Sequence, residues 1–424
     1  MSPGHLDLLL RRLAGVTGIR VAGAGATFIF SLLVARTLDA EDAGRVYWAI
    51  AATSLLAVIA RGGLDKGFMR SAAIISSSQS DTAAAAVVTR RFIPYVSTAA
   101  VTLTLTLLGY AAWIDSTLGW TQNFVALAIV STAIVGSSIS VLAGSAAIGA
   151  GLSVRGTLLA APAAAIVSLG IAVAVLLLTE IRSLTLFCSA YACGWTGSAI
   201  AAFFLQQRYY PALERTATPQ GASETGWFAL VGVANTLEQW APTLISGSML
   251  SPSAAADFAL CSRLVAVIQL IMVSATAAYA HMYATAHSRE LDILVGKAVR
   301  SLALVGIPLI AALAIFAPQV LGIFGPEFVR ADNLLRIMLI GQAVNIGAGT
   351  FSVVLMMRGH VSVVAKAFCS ASIVQVALAL YGAQQGREEF IAITCVITVA
   401  IHSSWCLWAY LRMIRKKAGS KEDL

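Results

Sequence analysis

Long apolar runs fill the chain, separated by short polar breaks, with little regular alternation of the two. A helix needs about 20 apolar residues to cross the hydrocarbon of a bilayer. The continuity of the runs excludes a β-barrel, whose strands alternate apolar and polar positions. Twelve spans can be drawn, over 14–36, 43–62, 91–114, 121–150, 153–178, 183–206, 226–250, 253–286, 293–316, 328–357, 360–383 and 390–412. The stretch 33–70 sets the pattern: the outer end of one apolar helix, a short turn over Thr37 to Asp42, a second apolar helix and a basic landing. Two spans joined this tightly are antiparallel neighbours.

Composition extends that reading to the whole chain. Of 424 residues, 58% are hydrophobic and only 11% charged, against about 25% charged in a soluble domain. With a mean hydropathy of +0.84, the chain is expected to be an all-α polytopic membrane protein. Arg11 and Arg12 lead straight into a full-length span, so no cleavable signal is expected. The formal charge of +8 could suggest nucleic acid, but its distribution points to membrane topology. Of the 28 Lys and Arg residues, 20 fall on the side that holds Met1 and seven on the other, with Arg20 inside the first span. The positive-inside rule then puts both termini in the cytosol and requires an even number of spans. All six cysteines sit in or beside apolar segments without zinc or redox spacing, and are expected to act as small hydrophobic fillers. His281, His287, His360 and His402 lack ligand spacing, so neither a metal nor a cofactor is expected.

The longest polar connections, Gly63 to Thr89 and Gln206 to Thr225, fall on the cytosolic side. The second lies at the midpoint, dividing the chain into lobes 1–206 and 226–424 joined by a linker over 207–225. The pattern repeats across it. LDAEDAGRVYWA from Leu38 parallels LSPSAAADFALC from Leu250, 212 residues on, and the Gly151 region parallels the Gly359 region, 208 residues on. Such spacing predicts a duplicated six-helix unit in parallel orientation, related by an axis along the membrane normal. Two bundles of this kind with a cleft between them form a transporter plan.

The opening hairpin, with Ala35, Arg36, Leu38, Gly44, Gly63, Leu64 and Arg70, resembles the oligosaccharide flippases of the MOP (multidrug/oligosaccharidyl-lipid/polysaccharide) exporter superfamily. Asp39 and Val46 depart from that pattern, while Phe258, Arg263 and Leu264 of the second hairpin fit it. The resemblance implies a MATE/MOP-like exporter that moves an undecaprenyl-diphosphate-linked oligosaccharide across the cytoplasmic membrane for polysaccharide biosynthesis. It also implies a polysaccharide polymerase and glycosyltransferases as partners. Related drug/cation antiporters and peptidoglycan-precursor lipid flippases share the same layout, which does not separate them.

The seventh span holds the most informative residue. Glu238 lies about twelve residues from either end, near ~18 Å of helix depth. A carboxylate there is costly unless it faces a wet cavity or a cation. Pro242 cannot donate to the Glu238 carbonyl four residues back, so the helix is expected to break there, with Asn235 and Gln239 adding polarity. Glu238 is thus a candidate for ion coupling and, with Asn235, for substrate binding. The competing expectation is a packing ion pair to Arg20 or Arg263. Arg20, Arg263 and Lys366 are candidate partners of a lipid diphosphate, because fixed cations can replace its water; the bland alternative is snorkelling. Arg61, Lys66 and Arg70 could collect the headgroup at the inner leaflet, or only set topology. Asp39, Glu41 and Asp42 leave open a membrane glycosyltransferase, against which stands their expected role as helix-capping charges.

Overall fold

The computed structural model describes residues 3–62, 64–65, 69, 72, 96–109, 123–207, 222–285 and 288–419. Its helices are α1 (Pro3–Thr37), α2 (Ala40–Arg61), α3 (Val96–Gly109), α4 (Phe124–Gly149), α5 (Ser153–Ala160), α6 (Pro162–Leu178) and α7 (Leu184–Gln207). There follow α8 (Ala222–Met249), α9 (Pro252–Thr285), α10 (Ser288–Ile315), α11 (Ala317–Gly322), α12 (Asp332–Met357), α13 (Val361–Gln384) and α14 (Glu388–Gly419). A 3₁₀ turn over Pro326–Ala331 precedes α12. The chain is a polytopic all-α membrane protein: among the described residues nine helices are long and apolar enough to cross a bilayer, or ten if a bent pair counts as one span. The expected spans fall on helices where residues are described; residues 91–95 and 110–114 of the third lie outside the described residues, and α8, on which the seventh falls, is not among the nine. The fifth is not one continuous rod. Pro162 opens α6 at a 49° bend from α5, because a proline cannot continue the hydrogen-bond ladder of the preceding turn.

Two compact units are present, residues 1–229 and 230–424. In the first, α1 and α2 form the expected hairpin, and the buried Tyr47 hydroxyl donates to the Ser31 carbonyl across it at 2.6 Å. The loop acids serve the start of α2. Asp39 caps it by accepting from the Asp42 N–H at 2.7 Å, and Arg45 pairs with both Asp42 and Glu41. Helix α4 packs so closely on α5 that a Cβ on Gly144 would stand 2.7 Å from the Gly156 carbonyl oxygen. Small residues permit this backbone approach. At the α5–α6 bend the Leu159 carbonyl accepts from the buried Ser140 hydroxyl at 2.6 Å, and Ser140 lies 2.7 Å from Ser198 of α7.

In the second unit, α12 packs against α9, α10 and α14, and α13 packs against α14. The repeat seen in the sequence returns here as repeated geometry. Ser251 caps α9 by accepting from the Ala254 N–H at 3.1 Å, the bond that Asp39 makes to Asp42 shifted by 212 residues. Gly151 and Gly359, at φ 84° and 81°, end α4 and α12 in the left-handed region. Their bonds also match: Gly151 N–H to Ile148 O at 3.1 Å and Leu152 N–H to Ala147 O at 2.9 Å, against Gly359 N–H to Met356 O at 3.1 Å and His360 N–H to Leu355 O at 2.9 Å. These are the overlapping carbonyl caps of a glycine-terminated helix.

Because an L side chain in the left-handed region costs roughly 1–2 kcal/mol, Gly151→Ala and Gly359→Ala should each lower the melting temperature of the detergent-solubilised protein. An unchanged melting temperature in either variant contradicts the shared terminating turn.

Candidate functional site: a carboxylate one turn before an in-helix proline

The break expected at Pro242 is not formed: α8 runs without interruption from Ala222 to Met249, with Pro242 inside it one turn after Glu238, and what the proline removes is a single hydrogen bond of the ladder. The Glu238 backbone carbonyl has no N–H to receive from residue 242, and a buried carbonyl left open is costly. The Gln375 side chain of α13 closes it, donating through Nε2 to the Glu238 carbonyl at 3.2 Å. That amide also reaches Cys395 Sγ at 3.6 Å, and Gln375 is 1% exposed. One turn earlier on α13, the Ser372 hydroxyl lies 3.3 Å from Glu238 Oε1, 3.1 Å from the Ala234 carbonyl and 2.9 Å from the Phe368 carbonyl. A single hydroxyl proton serves one of these acceptors at a time.

The second carboxylate oxygen faces an imidazole. Glu238 Oε2 stands 3.7 Å from His402 Nε2 of α14, and the two side chains are 12% and 7% exposed. That separation exceeds a hydrogen bond and suits an ion pair. His402 is held in place by Phe368, whose ring stacks on it at 4.3 Å and 26°. Such a couple holds one proton: it is neutral overall either as carboxylate with imidazolium or as carboxylic acid with neutral imidazole.

The expected arginine partners are not the ones observed. Glu238 is engaged by Ser372 and His402, while the half-buried Arg263 lies over the ring of Trp240 at 5.2 Å, two residues along α8. A flat guanidinium is well suited to an aromatic face. Arg20, Asn235 and Lys366 are exposed and Arg61 is half-buried at the end of α2; Lys66 and Arg70 lie outside the described residues. Asp257, a second buried acid, accepts from Arg330 Nε at 2.9 Å. His402, Ser372 and Gln375 were not foreseen as site residues. Their signals are faint: a polar pair three residues apart in apolar α13, and one imidazole in the apolar run of α14. No group of three or more His, Cys, Asp or Glu that could hold a metal occurs among the described residues.

No protein-family model matches the chain, and no curated protein sequence does so. Solved structures do. The lipid II flippase MurJ in an inward closed conformation aligns over 92% of this chain and 87% of its own, with a TM-score of 0.70 and 11% identity. An inward-facing multidrug resistance MATE transporter of the MOP superfamily aligns over 94% and 99%, with 0.64 and 13%. The chain has the MATE/MOP fold. A eukaryotic MATE transporter aligns similarly, over 96% and 97% with a TM-score of 0.64 and 14% identity. At such identities the likeness concerns the path of the chain.

Gln375→Leu should destabilise the protein by roughly 1–3 kcal/mol, the cost of an open buried carbonyl. In a Pro242→Ala background, where residue 242 regains its N–H, the same change should cost clearly less. Equal losses of thermal stability in the two backgrounds would show that Gln375 does not close that carbonyl.

Proposed function

We propose that the chain is an ion-coupled secondary transporter of the MATE type, exporting an organic cation in exchange for a proton or metal cation taken up at Glu238. The observation that carries this reading is the Glu238–His402 couple one turn before the proline inside α8. A carboxylate within a span, neutralised by a titratable partner instead of a permanently charged arginine, can exchange its counter-ion. Asn235, exposed one turn before Glu238, would add a polar contact for the substrate. The reading makes the protein a transporter, not an enzyme; the acids of the first outer loop, which a glycosyltransferase would need free, are engaged at the start of α2.

Alternating access would expose the site to either side of the membrane in turn. The repeated caps at Asp39 and Ser251, and the repeated turns at Gly151 and Gly359, support descent from one duplicated unit. The 20-to-7 asymmetry of basic residues supports cytosolic termini.

A second reading is a flippase for an anionic lipid-linked substrate, such as an undecaprenyl-diphosphate oligosaccharide or a peptidoglycan precursor. The TM-score of 0.70 to the lipid II flippase favours it. Arg20, Lys366 and the Trp240-backed Arg263 would then meet the diphosphate, and Arg61, Lys66 and Arg70 would gather it at the membrane surface.

Proteoliposomes carrying an imposed proton or sodium gradient separate the two. The first reading expects a cationic dye to move against its gradient, with Glu238→Gln losing most of the rate while inserting normally. Dye transport at full rate in that variant would remove Glu238 from coupling. Gradient-independent movement of a lipid-linked glycan without dye transport would replace the first reading by the second.

A further inference from the structure

The C-terminal helix α14 changes character along one stripe of its surface. Trp405, Trp408 and Arg412 follow one another at spacings of three and four residues, which places them on a single face. Trp405 and Trp408 are 38% and 51% exposed, and Leu411 beside them 45%. The Arg412 guanidinium lies over the Trp408 ring, 3.8 Å from its centroid. The helix continues to Gly419 through Arg415, Lys416 and Lys417, and after Glu389 it contains no acidic residue. On another face, the buried Tyr410 hydroxyl donates to Asp292 of α10 at 2.6 Å, which fixes the rotation of this stretch and leaves the stripe outward. Helix α10 adds exposed Lys297 and Arg300 within about two turns of Asp292.

We propose that this stripe is a binding site for the headgroup of an anionic phospholipid. Tryptophan settles at the boundary between hydrocarbon and water, and the cation that follows it along the same face then stands at headgroup level. Stacking on Trp408 holds Arg412 extended toward a phosphate, with its hydrogen-bonding edge free of the ring face. Arg415, Lys416 and Lys417 add three positive charges within the next turn or so, complementary to a negatively charged bilayer surface. The proposal concerns a resident lipid and stands apart from the transport reading, since it needs only that α14 spans the membrane.

The test is binding of dansyl-labelled phosphatidylglycerol to the full-length protein in neutral detergent micelles. Unlabelled phosphatidylglycerol should displace the probe, whereas phosphatidylcholine and inorganic phosphate should not, and added salt should weaken binding. Replacing Arg412, Arg415, Lys416 and Lys417 together by Gln should weaken binding at least about tenfold, and Trp408→Ala should weaken it as well. Equal displacement by phosphatidylcholine, displacement by inorganic phosphate, or insensitivity to salt in the unmodified protein would overturn the proposal. So would unchanged affinity in the four-fold variant.

Discussion

Inside hydrocarbon there is no water to complete a hydrogen bond that a helix leaves open, so every break in a span must be closed by the protein itself. Two open carbonyls in this chain show how. Where Pro162 ends the ladder of α5, the hydroxyl of Ser140 reaches the Leu159 carbonyl, backed by Ser198. Where Pro242 removes an N–H from α8, the amide of Gln375 reaches the Glu238 carbonyl. In each case a neighbouring helix supplies the donor, so the polar side chains of α4, α7 and α13 are determined by irregularities elsewhere.

The second differs from the first in belonging to an ionisable residue. Gln375 satisfies the backbone of Glu238, and Ser372 and His402 attend to its side chain. Backbone repair and charge compensation thus come from adjacent turns of α13 and from one position of α14. In the proposed reading, an imidazole partner leaves the carboxylate able to exchange its counter-ion. A permanent arginine pair, as between Asp257 and Arg330, fastens two segments together.

Much of the architecture could be read from residues. Apolar run length located the helices, and the tight Thr37–Asp42 turn indicated the first hairpin. The echo at offsets of 212 and 208 pointed to turns that proved to have matching hydrogen bonds. Glu238 and Pro242 marked the open carbonyl, because four-residue spacing is a property of the helix itself, but the break expected there did not form. The partners of Glu238 were not legible, since Ser372, Gln375 and His402 lie more than 130 residues away and only packing brings them near. Charge alone suggested Arg263 for Glu238, yet that arginine lies on an aromatic face. The α5–α6 bend was missed because hydropathy is continuous across Pro162.

Direct observation of ion exchange at Glu238 is the decisive measurement. When a cationic substrate is added to the purified protein in weakly buffered detergent, the medium should acidify in proportion to binding, and Glu238→Gln should bind without releasing protons. Substrate binding with no proton release at any pH, and no competition from sodium, would contradict an exchangeable site at this carboxylate.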